Sequence, residues 1–98
     1  MTTSITITST ATPALNGTYS LTPAMVAGIQ GQVAAVALNA TFADGSAALS
    51  WPDASNAMHS FDVAQFKTFA QAVGNHLSLS AIYMCGLGAA PPTTATIP

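Results

Sequence analysis

Fixed charge is nearly missing from this sequence. One basic residue, Lys67, and three acidic ones, Asp44, Asp53 and Asp62, make up 4% of 98 residues, where soluble domains ordinarily carry about 25%. A single cation leaves no electrostatic footprint for phosphates, which excludes nucleic acid as a partner. It also leaves no basic cluster for an anionic membrane surface. Disorder driven by charge repulsion is excluded as well, since one basic and three acidic residues leave almost nothing to repel. Cysteine is almost as scarce: the lone Cys85 precludes an internal disulfide and fits synthesis in a reducing compartment. Long hydrophobic runs are lacking too. The uncharged stretch from Ala24 to Ala43 is broken by Gln30, Gln32 and Asn39 and consists largely of Ala and Gly, so no membrane span is expected. The opening Met1–Thr8 has neither a basic start nor a continuous apolar core, so no signal peptide is expected.

A protein that stays monomeric in solution usually keeps its copies apart with charge. This one has a formal net charge of −2, and the cores of subunit interfaces are depleted in charge. The composition therefore points to an assembled protein, with copies of itself among its partners.

The length suits a single domain over residues 1–98 with one modest core. Residues 1–21 read as strands: Ile5 and Ile7 alternate with Thr6, Thr8 and Thr10, and after Pro13 and Asn16-Gly17 a second short extended piece follows at Thr18–Leu21. Residues 22–39 read as a helix, with Thr22 as N-cap, Pro23 at the first position, and Val26, Ile29, Val33 and Val36 in one stripe. Residues 46–61 read as a β-hairpin, with Pro52–Asn56 as its turn. Residues 62–85 read as a second amphipathic helix, capped by Asp62 and burying Phe66, Phe69, Val73 and Leu77. Residues 86–98 read as an extended, proline-rich arm whose Thr96 and Ile97 alternate like the N-terminal residues Ile5 and Ile7. Both arms are expected to add strands to a sheet, in their own subunit or in a neighbour. The expected fold is α+β: a small, mostly antiparallel sheet of the N-terminal strands and the hairpin, with two amphipathic helices on one face.

The chemical inventory is short. His76 and Cys85 have no catalytic spacing, and Cys85 stands in an apolar run where a thiol is inert. His59 and Asp53 straddle the hairpin turn, where a hydrogen bond would hold the loop in shape. Two histidines and one cysteine are scattered without metal-ligand spacing, and no glycine-rich phosphate loop is present, so no metal or cofactor is expected. Asn16-Gly17-Thr18 is a glycosylation sequon that reads as a turn. Trp51, Phe61, Phe66, Phe69 and Tyr83 are expected to fill the core.

The segment Leu49–Phe61, with Trp51, Asp53, Asn56, His59 and Phe61 in a Trp-x-Asp…His hairpin leading into Phe66, Phe69, Ala72 and Val73, is similar to a pattern found in small bacteriophage tail proteins. Asn56 stands where glycine is common in that pattern. The resemblance implies a virion structural role, no catalytic residues, synthesis in the host cytoplasm and incorporation into the virion. On that basis the chain is expected to be a non-enzymatic tail subunit (baseplate, tip or fibre attachment) that assembles with itself and with other virion proteins. The alternatives are a capsid decoration or head-fibre protein, or a small module binding a host surface glycan through Trp51, Asp53, Asn56 and Tyr83.

Overall fold

Period-two alternation gives strand β1, Ser4–Ser9, an apolar side on which Ile5, Ile7 and Ser9 are buried. The structure, a computed structural model, describes residues 4–90 and 92–98. β2, Gly17–Ser20, runs antiparallel to β1 with Ile5 opposite Tyr19. On the exposed side the Thr6 and Thr18 hydroxyls are 2.9 Å apart across the same pair. A 3-10 turn, Pro13–Leu15, joins the two strands and buries Leu15. The other edge of β1 is taken by β3, Thr94–Ile97, which runs parallel to it.

Helix α1, Pro23–Asn39, starts where Thr22 Oγ1 accepts from Met25 N–H, with Pro23 in the first turn. It ends at Ala40, whose left-handed backbone (φ 59°) closes the last turn onto Val36 O. The hairpin strands are β4, Ala48–Pro52, and β5, Met58–Asp62, paired Trp51 to His59 and Leu49 to Phe61. Helix α2, Val63–Met84, opens on a reciprocal capping box: Asp62 Oδ1 accepts from Gln65 N–H while Gln65 Oε1 accepts from Asp62 N–H. Phe66, Phe69, Val73 and His76 form its buried face. The centre of the molecule is aromatic. Phe66 meets Phe61, Phe42 and Trp51 edge-on, with ring centroids 5.5–5.8 Å apart, and Phe69 lies 4.9 Å from Tyr19.

The α+β class holds, but the arrangement departs from the expected one in four respects. The N-terminal strands and the hairpin do not form one sheet: a three-stranded mixed sheet, β2-β1-β3, stands apart from the two-stranded β4-β5. The reason is that β3 occupies the edge of β1, leaving the hairpin to touch the first sheet at its tip, where Ala54 N–H donates to Thr18 O. The terminal arms, expected to reach outside the unit and to add strands in their own subunit or in a neighbour, add them in their own subunit among the described residues. Ile5, Ile7 and Ile97 are core residues, and Thr6 N–H to Thr93 O and Thr10 N–H to Ile97 O tie the ends together within one chain; Thr96 alone of the four faces solvent. The expected arm residues 1–3 and 91 lie outside the described residues. Helix α1 is not amphipathic: Ile29 and Val36 face the core, but its exposed positions include Ala24, Ala27, Ala34, Ala37 and Leu38, with Gln30 and Asn39 as the polar ones. Tyr83 is half-exposed, and its place in the aromatic core is filled by Phe42, which the loop after α1 turns inward. Phe42 N–H donates to Ser46 O and Gly45 N–H to Phe42 O, which close that loop.

Candidate functional site

The resemblance-bearing hairpin places its five singled-out residues in two groups. Phe61 is buried in the core and Trp51 is half-buried beside it. Asp53, Asn56 and His59 shape the turn. Asp53 Oδ1 accepts from Ser55 N–H at 2.8 Å and from Ala57 N–H at 3.0 Å, and Asn56 adopts the left-handed backbone (φ 66°) that Asn tolerates in place of glycine.

The second carboxylate oxygen, Oδ2, is 2.8 Å from His59 Nε2, and His59 Nδ1 is 2.8 Å from Ala14 O in the 3-10 turn. Both ring nitrogens therefore face acceptors, an arrangement that a neutral imidazole satisfies at one nitrogen only. The doubly protonated ring donates to both. The hydrogen bond to Asp53 raises the His59 pKa above its ordinary value, and the same bond lowers that of Asp53. Tyr19 lies under the ring, 5.3 Å between centroids, and its hydroxyl donates to Leu15 O. Burial, with the Asp53 charge behind it, pushes that phenol up to about 12. Gly17 makes room for the pair, since a Cβ there would lie 3.3 Å from both Asp53 Oδ2 and His59 Nε2. The cluster is a latch joining the hairpin tip to the N-terminal sheet. A general base needs a free lone pair, and both nitrogens of His59 are engaged.

Trp51 is wedged between α1 and α2. Its ring meets Phe66, a Cβ on Gly28 would come within 2.8 Å of Cη2, and the indole Nε1 is buried without a hydrogen-bond partner. Tyr83 is 17 residues along α2 from Phe66, about 25 Å at 1.5 Å per residue. Trp51 and Tyr83 thus do not share a surface, which removes the geometry expected of a glycan site. His76 and Cys85 are separated too. His76 is buried, with Nδ1 3.1 Å from Pro92 O, whereas Cys85 is exposed nine residues on, about 14 Å along the helix. Among the described residues no three His, Cys, Asp or Glu side chains gather closely enough to hold a metal ion, and no helix is long and apolar enough to cross a membrane.

What the fold leaves open is apolar. Between α1 and α2 runs a groove of about 470 Å³, walled by Val26, Val33 and Ala37 on one side and Ala70, Gly74 and Leu77 on the other, with Lys67 at its rim. Val26, Val33 and Leu77, read from the sequence as core positions, are partly buried and line this groove. Beyond Leu77, the end of α2 exposes Leu79, Ile82, Tyr83 and Met84, and Leu87 follows. Met84 and Leu87 are 85% and 80% exposed, far more than a stray surface apolar residue requires. The signal for the groove is that most exposed positions of α1, Ala24, Ala27, Ala34, Ala37 and Leu38 among them, are apolar, which a stripe at spacings of three and four does not reveal.

Sequence comparison bears on the same stretch. A family model described as a domain of unknown function (DUF4376) matches residues 4–79. The chain belongs to that family. The DUF4376 match takes in the latch, Trp51, the groove and α2 as far as Leu79, and stops short of the exposed end at Ile82–Leu87. Comparison with curated proteins found no match, and comparison with solved structures found none either.

Proposed function

We propose that this chain is a non-enzymatic structural subunit of a bacteriophage tail, made in the host cytoplasm and carried into the virion, whose work is assembly with itself and with neighbouring virion proteins. The observation that carries the reading is the mostly apolar surface formed by the α1/α2 groove and the end of α2. Exposed apolar patches beyond a few hundred Å² mark interaction surfaces, and with Lys67 as the single basic residue of the chain a charged ligand has little to pair with. The titratable pair a catalytic reading would use, Asp53 and His59, is consumed by the latch. The tail assignment rests on the resemblance of the Trp51–Phe61 hairpin to those of tail proteins.

Mass spectrometry of purified particles from a phage carrying this sequence, with immunogold labelling, tests the proposal. Peptides of the chain at stoichiometric level and gold on the tail are the expected result. Gold on the head replaces the tail role with that of a decoration or head-fibre protein, and absence of the chain from particles overturns the virion role.

A further inference from the structure

The groove and the projecting helix end are both mostly apolar, and both belong to the same chain. At 100° per residue, Leu79, Ile82, Tyr83 and Met84 spread over about 200° of the α2 circumference, and Leu87 follows past the helix end. Ala81 and Cys85 occupy the remainder, so from Leu79 to Leu87 Ser80 and the Tyr83 hydroxyl are the polar side-chain groups. A helix apolar on every side belongs in an interior, and contact with one flat partner would leave half of it wet. The chain's own return covers little of it. Gly86 turns left-handed (φ 74°), Leu87 N–H donates to Ile82 O, and Gly88 crosses Ile82, after which residues 89 and 90 are exposed.

A groove between two helices encloses an inserted helix on more than one side. Here the buried floor is Ile29 and Val73, and small side chains, Ala34, Ala37, Ala70 and Gly74, stand along the walls, where they permit close approach. Charge selects the occupant. An acidic partner would find Lys67 alone, a basic partner would find no carboxylate among the groove residues, and the chain's own helix end is uncharged and apolar. We infer that the α2 end of one copy seats in the α1/α2 groove of a second copy, and that the contact is reciprocal. Because α2 walls the groove as far as Leu77 and projects immediately afterwards, antiparallel alignment of two α2 helices makes both insertions at once and closes a two-fold dimer. The five end residues expose on the order of 500 Å², and with the groove walls each partner supplies more than half of the ~800 Å² per side of a stable interface.

This inference rests on the assembly reading and names its first partner. The test is analytical ultracentrifugation of the full chain over a concentration series, with an end variant (Tyr83→Lys, Met84→Lys) and a groove variant (Ala34→Lys, Gly74→Lys). The groove positions are exposed, a side chain at Gly74 meets nothing within 4 Å, and cations near a helix C-terminus are favourable, so both variants should still unfold cooperatively, the groove variant with a gain from replacing a helical glycine. Met84→Lys alone, at a position 85% exposed, serves if the double change does not fold.

Wild type should dimerise reversibly, and each variant alone should lose at least ~10-fold in affinity. A mixture of the two variants should regain dimer, because it retains one native end-in-groove contact while the other sets lysines against lysines. Wild type that is monomeric at every concentration, a variant that dimerises as wild type does, or a mixture that stays monomeric would overturn the inference. A chain found in particles but monomeric in solution refutes the dimer and spares the virion role; a dimeric chain absent from particles does the reverse.

Discussion

Gly28 gives the sharpest test of how α1 meets the hairpin. In an exposed helix interior, glycine to alanine stabilises by about 1 kcal/mol, and α1 offers an internal control: a Cβ on Gly31 meets nothing within 4 Å, whereas one on Gly28 lands 2.8 Å from Trp51 Cη2. The indole is rigid, and Phe66 stands against it at 5.8 Å between centroids, so the ring or the helix has to shift. Overpacking of this kind costs ~1–3 kcal/mol, which cancels or outweighs the helical gain. Gly31→Ala is therefore expected to raise Tm by about 4–8 °C, the shift that 1 kcal/mol produces in a domain of this size. Gly28→Ala is expected to leave Tm unchanged or lower it by up to about twice that interval. Thermal unfolding followed by circular dichroism at low concentration reads both. Gly28→Ala should also recover the full gain in a Trp51→Leu background, because the coupling between contacting residues is then gone. Equal stabilisation by the two alanines in the wild-type background would refute the Trp51–Gly28 packing.

The latch makes stability depend on pH in a defined sense. His59 has its pKa raised by folding, so its contribution is complete below the ordinary value of 6.5 and is lost as pH rises through the raised value; Asp53 is lowered, so its contribution is complete above 3.8 and is lost as pH falls through the lowered value. Urea midpoints should be highest between those two ordinary values and decline on the alkaline side, and His59→Gln should flatten the alkaline decline; an unchanged profile in that variant would remove His59 as its source. Ile97 is core rather than arm, so Ile97→Ala should cost ~2–5 kcal/mol in denaturant unfolding, and deletion of residues 94–98 should cost more, since it also removes the partner strand of β1. A truncated chain of wild-type stability would show that β3 is dispensable to the fold.

Local chemistry was legible where its partners lie close in sequence. Thr22-Pro23 and Asp62 announce the starts of both helices because a cap acts within three residues. The Asp53–His59 contact, six residues apart across a turn, is legible for the same reason. The other half of the latch was not: Ala14 O is 45 residues from His59, and a backbone carbonyl carries no sequence signature. Strand pairing failed in a similar way. Thr94–Ile97 has the alternation of a strand, but alternation fixes which side chains are buried and leaves the neighbour and its direction open, so the parallel contact with β1 across the whole chain was invisible.

The reading of α1 went astray for a different reason, and the reason bears on function. A stripe at spacings of three and four satisfies the template of an amphipathic helix even when the opposite face is also apolar, as it is here with Ala27, Ala34 and Leu38 exposed. The template asks where apolar residues recur and never whether polar ones separate them. Asking the second question of α1 and of Leu79–Met84 shows two helical segments whose exposed positions are mostly apolar, one walling a groove and the other projecting past it. A monomer gains nothing from leaving both in water, at about 25 cal/mol for each Å² of apolar surface that association would bury. Neither surface carries a carboxylate, and Lys67 is the one charged side chain that lines the groove. It follows that charge introduced on the groove walls or at the α2 end should act on association, while charge introduced at solvent-facing Thr18 of β2, which lines neither, should leave it unaltered.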